Sequence, residues 1–518
     1  MSSSSEVQEG LSSVTRGTLF LLFGTLCYVG LTFVARVVLT RSISFTDWDA
    51  FSLGLTLVGV VSAVGTLGLP SAVARSLPYV ATDAERRSIV RGALAIGGAS
   101  AVGTSLVLWL IGPWISQRLG LPSLVPALEL FPIAVATSVI GTIIAAIFQG
   151  YEDVTPNAVF VQIVTPGLWV VFVVALFVLP PKGIDYESAI VAYVAANAIS
   201  LLLSVAYLLR QLPRVLPPGA GSPGAVAPLM RFALPLLLVG LMGALTGSGD
   251  TLVLGAFDPT AVGTYTNSLT LARLIQVAIG AAAYIFLPVA ARFLRTRDFA
   301  SIRMTYVTVT KWLILFSLPL FLLFFFLPSR SLDFVYGPQY ATIVIPLQIV
   351  VIGAFLTTVM GPATNAQVAL GQTHLLAFNA AIAVAIDLSV SLALVPTYGI
   401  PGAAIAWASA NASYTALSLI EVAASTGVHP FEPHFYVPVL VTAAPVAAIL
   451  ALAPIHYPLW SLPVIGLAIV GLFIVVVLLT RSIDEGDQLL LGAVEGLVGR
   501  PLPLLRRIGR FGRPRPKA

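Results

Sequence analysis

Long apolar runs alternate with short polar gaps along this chain. The runs lie near 17–40, 49–70, 92–115, 122–147, 157–180, 186–209, 229–255, 261–287, 307–327, 341–364, 374–397, 400–424, 435–455 and 459–480. About 20 apolar residues in a helix cross the hydrocarbon of a bilayer. Lipid offers no partner for backbone N–H and C=O groups, so each run predicts a helix that satisfies its own. The ten-residue alternation of a membrane β-barrel strand is absent. The pattern reads as an all-α polytopic membrane protein of about 14 transmembrane helices, with 12 and 13 within range.

Composition agrees. Only 9% of residues are charged, against roughly a quarter in soluble domains, and mean hydropathy is +0.98. The first apolar run is too long for a cleavable signal, and a Ser-rich polar stretch precedes it. Cys27 is the sole cysteine, which excludes an internal disulfide and a cysteine-rich metal site.

Charge adds direction. With the N-terminus placed inside, 21 of the 27 Lys and Arg residues fall in the N-terminal stretch, the even-numbered loops and the C-terminal tail. Arg36, Arg41, Arg118, Lys182 and Arg330 fall on the other side, and Arg273 lies within a span. The positive-inside rule then puts both termini in the cytoplasm and favours an even number of spans. No loop is long enough for a folded domain.

The chain also echoes itself at a spacing near 215 residues. Ala192-Tyr193-Val194-Ala195-Ala196-Asn197-Ala198 matches Ala406-Trp407-Ala408-Ser409-Ala410-Asn411-Ala412. Leu179-Pro180 and Gly183-Ile184 match Val395-Pro396 and Gly399-Ile400, and Leu69-Pro70 followed by Ala74-Arg75 matches Leu287-Pro288 followed by Ala291-Arg292. An even number of spans separates the copies, so the sequence predicts two parallel six-helix repeats plus two extra C-terminal helices. Parallel repeats are related by an axis along the membrane normal and would leave a cavity between them. The expected organisation is a polar N-terminal stretch (1–16), a first bundle (17–209), a cytoplasmic linker (210–228), a second bundle (229–424), two further helices (435–480) and a basic tail (481–518). That tail mixes apolar residues with late arginines. It reads equally as an interfacial segment on anionic lipid and as a disordered basic tail.

At this point the chain resembles the polysaccharide-transporter branch of the multidrug/oligosaccharidyl-lipid/polysaccharide flippase superfamily. The longest stretch carrying the resemblance is Pro396-Thr397-Tyr398-Gly399-Ile400-Pro401-Gly402-Ala403-Ala404-Ile405-Ala406. Asp250-Thr251-Leu252-Val253-Leu254-Gly255 with Ala261-Val262-Gly263-Thr264-Tyr265, and Phe334-Val335-Tyr336-Gly337 with Tyr340, add to it. Gly68-Leu69-Pro70 and Phe148-Gln149-Gly150 are shorter echoes. The resemblance implies a flippase that moves polyprenyl-linked oligosaccharides across the cytoplasmic membrane by alternating access. Its partners would be the lipid-linked glycan, membrane lipids and glycan-synthesis enzymes. A cation-coupled multidrug or metabolite exporter of the same superfamily is the alternative.

An ionisable group inside a span costs about 2.5–3.5 kcal/mol on insertion scales and faces a cavity or a partner. Arg36, Arg41 and Arg273 are candidates for the phosphate of a lipid carrier, because a guanidinium bonds phosphate oxygens in a bidentate fork. Snorkelling or helix pairing is the competing reading for Arg36 and Arg41. Asp250, Asp387 and Glu129 are candidates for a coupling ion or for structural pairing, with Glu421 weaker still. Asn197 and Asn411 read as interhelical hydrogen-bond residues. His374, His429, His434 and His456 share no helical face, and the sequence carries no nucleotide-binding glycine loop, metal-spaced cluster or nucleophile elbow. An enzyme, a cofactor and a nucleic-acid partner are therefore not expected.

Overall fold

The computed structural model describes residues 2–80, 82–178, 184–216, 219, 221–222, 224–295, 298–341, 343–431, 433–452, 458–480 and 487, with backbone alone for 2–19, 281–285, 288, 291–292, 295, 433–438 and 452. Lys182, Arg297 and the tail 481–518 apart from Asp487 lie outside the described residues.

The described chain is helical almost throughout. The helices are α1 (Ser2–Ser42), α2 (Phe45–Gly65), α3 (Leu69–Ser76), α4 (Asp83–Leu119), α5 (Leu124–Gly150), α6 (Thr165–Val178), α7 (Tyr186–Arg210), α8 (Leu212–Val215) and α9 (Val226–Phe257). They continue as α10 (Val262–Arg295), α11 (Phe299–Phe326), α12 (Pro328–Tyr336), α13 (Val344–Val359), α14 (Ala363–Ala369), α15 (Thr373–Tyr398), α16 (Ile400–Thr426), α17 (Pro433–Leu452) and α18 (Ser461–Leu479). Each apolar run of the sequence falls on a helix. Among the described residues, 11 helices are long and apolar enough to cross a membrane. The expected spans on α10, α16 and α17 are not among these 11; α10 and α17 run through residues 281–285 and 433–438, whose side chains are not described, and the described part of α17 is apolar over Val439–Ala451. The number of crossings stays an expectation of the sequence.

Local chemistry sets the helix starts. Ser44 caps α2, its hydroxyl oxygen accepting the Asp47 N–H at 3.2 Å. Thr82 does the same for α4 through the Glu85 N–H at 3.3 Å. An N-cap acceptor satisfies one of the amides that a helix start leaves without a partner. These caps put α2 four residues before its apolar run and α4 nine residues before it. The polar link after α2 is itself mostly helical, as α3 and a short 3₁₀ turn at Leu77–Tyr79.

By contacts the chain forms two compact units: Met1–Thr266 with Ser391–Gly399, and Asn267–Val390 with Ile400–Ala518. In the first, α5 packs against α4, α7 and α2, while α9 lies along α2 and α3. Gly68 has φ +69°, and a Cβ there would strike the Ala233 carbonyl and the α9 backbone. Glycine is thus required both for the left-handed turn and for the close approach. A π-helical stretch, Asn157–Val164, precedes α6. The wider turn turns the Phe160 carbonyl toward side chains: the Ser200 hydroxyl donates to it at 2.9 Å, and the Thr165 hydroxyl lies 2.8 Å from both that carbonyl and the Ser200 hydroxyl, to one of which it donates. In the second unit α13 packs on α16 and α11, and α11 on α17 and α18. Its apolar core joins Phe286, Tyr306, Leu313, Ala366, Leu419 and Val422.

Candidate functional site

The first unit holds an aromatic cluster, and one of the functional candidates, Arg36, lies near it. Phe51, at the centre, is fully buried. It stacks with Trp48 and Trp169, with ring centroids 5.9 and 6.3 Å apart, and meets Phe131 edge-on at 5.5 Å. Tyr193 closes the cluster against Trp169 and Phe131 at 5.1 and 5.6 Å. Arg36, half-buried on α1, lies within electrostatic reach of Tyr193. Arg41, in the last turn of α1, is exposed.

Asp250, on α9, is fully buried and accepts a short hydrogen bond from the Tyr265 hydroxyl. The α9–α10 turn that brings Tyr265 over it is held by α2. Asp49 Oδ1 accepts the Gly263 N–H at 2.6 Å, and Trp48 Nε1 donates to the Gly263 carbonyl at 3.1 Å. A Cβ on Gly263 would lie 2.5 Å from the Trp48 ring, so the clamp needs glycine there. Neither Asp49 nor Tyr265 was a sequence candidate. Asp49 sits at the head of an apolar run, where a charge reads as an interface residue, and its partner is 214 positions away. Glu129 is exposed on α5.

The asparagines of the sequence repeat make one contact in both copies. Asn197 Nδ2 donates to the Tyr193 carbonyl and Asn411 Nδ2 to the Trp407 carbonyl, each at 2.9 Å. These bonds lie within a helix, four residues back. Only Asn197 adds a described link to another helix, accepting from the Ser138 hydroxyl at 3.4 Å.

In the second unit Arg273 is exposed on α10, three residues before Gln276, whose amide donates to the Thr357 hydroxyl at 2.8 Å. Ser317 ties α11 to α10 through the Ile275 carbonyl at 2.9 Å. Asp387 is 1% exposed on α15. Glu421, on α16, accepts from both Gln367 and Asn379. Lys311, counted by sequence with the cytoplasmic charges at the start of the run 307–327, stands within α11 and is buried. Its ammonium meets Asp487 Oδ2 at 2.5 Å, and Trp312 Nε1 donates to Oδ1 at 2.8 Å. Phe473, Ile474, Val477 and Leu478 of α18 line the small pocket around that pair.

Outside the spans, two caps perturb carboxylates. Hydrogen bonds from the Ser188 hydroxyl and N–H hold Asp185 below the usual carboxylate range, and those of Ser301 do the same for Asp298. Burial pushes the Tyr151 hydroxyl up, where it donates to the Val215 carbonyl at 3.0 Å. Among the described residues no three His, Cys, Asp or Glu side chains group as a metal site.

Comparison with known proteins adds three results. Residues 14–283 match the family model described as polysaccharide biosynthesis protein. No curated protein sequence matches the chain. Among solved structures, the fold is similar to that of lipid II flippase MurJ in an inward closed conformation, with TM-score 0.68 and 12% identity over 88% of this chain and 98% of that one. It is also similar to an inward-facing multidrug resistance MATE family transporter, with TM-score 0.58 and 15% identity over 80% and 98%. The Vibrio cholerae MATE transporter VcmN matches with TM-score 0.52 and 18% identity over 84% and 100%. The fold is the one these flippase and transporter structures share.

Proposed function

The chain belongs to the polysaccharide biosynthesis protein family, and from that premise we propose that it is a flippase for lipid-linked oligosaccharide or polysaccharide precursors. The observation that carries the reading is the conjunction of that family with a fold whose likeness to a lipid flippase extends over 88% of the chain. The headgroup would cross the cytoplasmic membrane by alternating access, with both termini in the cytoplasm and the prenyl chain kept in lipid. Arg36, Arg41 and Arg273 would attract the carrier's phosphate. The exposure of Arg41 and Arg273 and the half-buried place of Arg36 near Tyr193 support that role. Asp250 and Asp387 would hold a coupling ion or brace their helices. Their burial supports both roles, since an intramembrane carboxylate that is retained commonly serves ions or pairing.

Deleting the gene tests the reading. The expected result is loss of surface glycan with its lipid-linked precursor accumulating on the inner leaflet. Normal surface glycan with no precursor build-up rejects it. A cation-coupled exporter is the second reading, supported by the likeness to the MATE transporters. It predicts altered drug or metabolite efflux in the deletion strain with surface glycan intact.

A further inference from the structure

Beyond α18 the chain returns to α11. Thr480 closes α18, its N–H bonded to the Val476 carbonyl, and Asp487 is buried shortly after it. The Asp487 carboxylate receives the Lys311 ammonium and the Trp312 indole N–H, from two successive residues of α11. Leu315, Phe473 and Val477 enclose the pair in apolar surface. The Trp312 ring is 37% exposed. A tryptophan with its N–H bonded and its ring exposed suits the boundary between hydrocarbon and headgroups. Lys311 also stands near one end of the apolar run 307–327. The tail therefore starts from a fixed point at the edge of an apolar run.

Residues 488–518 lie outside the described residues, and their sequence has two properties. They carry six arginines and one lysine against a single acidic residue, Glu495. Ten of them also sort by face. At about 100° per residue, Leu504, Leu505, Ile508 and Phe511 share an arc of about 120°. Arg506, Arg507, Arg510 and Arg513 share an arc of the same width on the opposite side. Pro503 precedes the segment and Pro514 follows it. So short a segment gains little from helix formation in water and needs a surface to fold on. An apolar face opposite an arginine face is the composition of a helix lying in a lipid interface. A basic tail that stayed in water would have no use for four large apolar side chains on one arc. An acidic protein would engage the arginines, but it would not account for a tail that starts at the membrane boundary.

We propose that residues 504–513 form an amphipathic anchor for anionic phospholipid, delivered to the membrane surface by the Lys311–Asp487 pair. The charge pattern assigns this end of the chain to the cytoplasm, whose leaflet supplies the anionic lipid. The anchor goes beyond the flippase reading and holds for a glycan carrier and a drug exporter alike.

The test uses the full-length protein in nanodiscs, with Cys27→Ala and an environment-sensitive fluorophore attached at Ile508→Cys. One set of discs is phosphatidylcholine alone, and the other holds phosphatidylcholine and phosphatidylglycerol in equal parts. Both contain a trace of lipid with a quenching nitroxide on its acyl chain. One basic residue near an anionic surface changes the bound-to-free ratio about fivefold, so four should change it more than about a hundredfold. The expected result is a blue-shifted, quenched label in the phosphatidylglycerol discs and an unquenched one in phosphatidylcholine. Replacing Arg506, Arg507, Arg510 and Arg513 by Gln should release the label and leave the denaturant midpoint unchanged. A label equally exposed in both sets, or equally quenched in both, overturns the proposal. So does a label that stays exposed on phosphatidylglycerol and is buried only when a cytosolic protein fraction is added, which assigns the tail a protein partner. Quenching reads the tail alone, so its failure leaves the flippase reading to the deletion phenotype.

Discussion

Breaking the Lys311–Asp487 pair offers a quantitative test of the packing in the second unit. The side chains are 7% and 6% exposed, with N–O distance 2.5 Å. At an effective dielectric of 20, that separation gives roughly 7 kcal/mol of Coulomb attraction. Desolvating the two ions costs several kcal/mol each, so the pair as a whole is close to neutral against an apolar filling. Removing one partner is different, because the other charge is left buried. Lys311→Met or Asp487→Asn should each cost about 3–5 kcal/mol. The Asp487→Asn variant also weakens the bond that Trp312 donates to Oδ1. The double variant Lys311→Met with Asp487→Leu should return to within about 1–2 kcal/mol of the parent, filling the pocket formed by Phe473, Ile474, Val477 and Leu478. Denaturant titration in detergent micelles, followed by tryptophan fluorescence, measures the cycle. Single variants as stable as the parent, or a double variant that loses the sum of the singles, would refute the argument.

Arg273→Ala should abolish transport while leaving the protein inserted and folded; surface glycan restored to normal by that variant would remove Arg273 from the essential residues. Gly68→Ala should destabilise the first unit by about 1–3 kcal/mol, from strain at positive φ and overpacking against α9, read as a lower midpoint in the same titration. For Asp185, the native pKa is depressed by the Ser188 bonds. Its contribution is therefore complete above the unfolded value near about 4 and lost as pH falls through the lower native one. Hydrogen exchange at the start of α7 should accelerate on that acid limb in the parent, and Asp185→Asn should remove the pH dependence.

The helices were legible because the bilayer imposes them: apolar length alone marks a segment that must close its own hydrogen bonds. Their starts were less so. The Thr82–Glu85 cap was present in the sequence, but hydropathy does not weigh hydroxyls, so α4 begins well before its apolar run. Of the site residues, Asp250 and Asp387 stood out because a carboxylate inside a span is conspicuous, and both are buried. Asp49, Gln367 and Asn379 were missed for two reasons. An uncharged amide in a span calls for no counter-charge and reads as a helix-pairing residue, and the Asp49–Gly263 bond joins residues 214 apart that only the folded chain brings together. The pairing of Lys311 was not legible: its partner Asp487 lies 176 residues on, so nothing nearby in sequence announced that its charge was neutralised.

The stretch from Asn157 to Val164 winds more loosely than its neighbours and holds the spare length with two hydroxyls. Removing one amino acid from an ordinary spanning segment rotates everything beyond it by about 100° and presents the wrong side to its surroundings. Here the cut has slack to consume: a one-residue deletion would tighten the coil toward the standard pitch and leave the register of Trp169 and Val173 nearly untouched. Evolution can thus shorten this segment where it could not shorten the others.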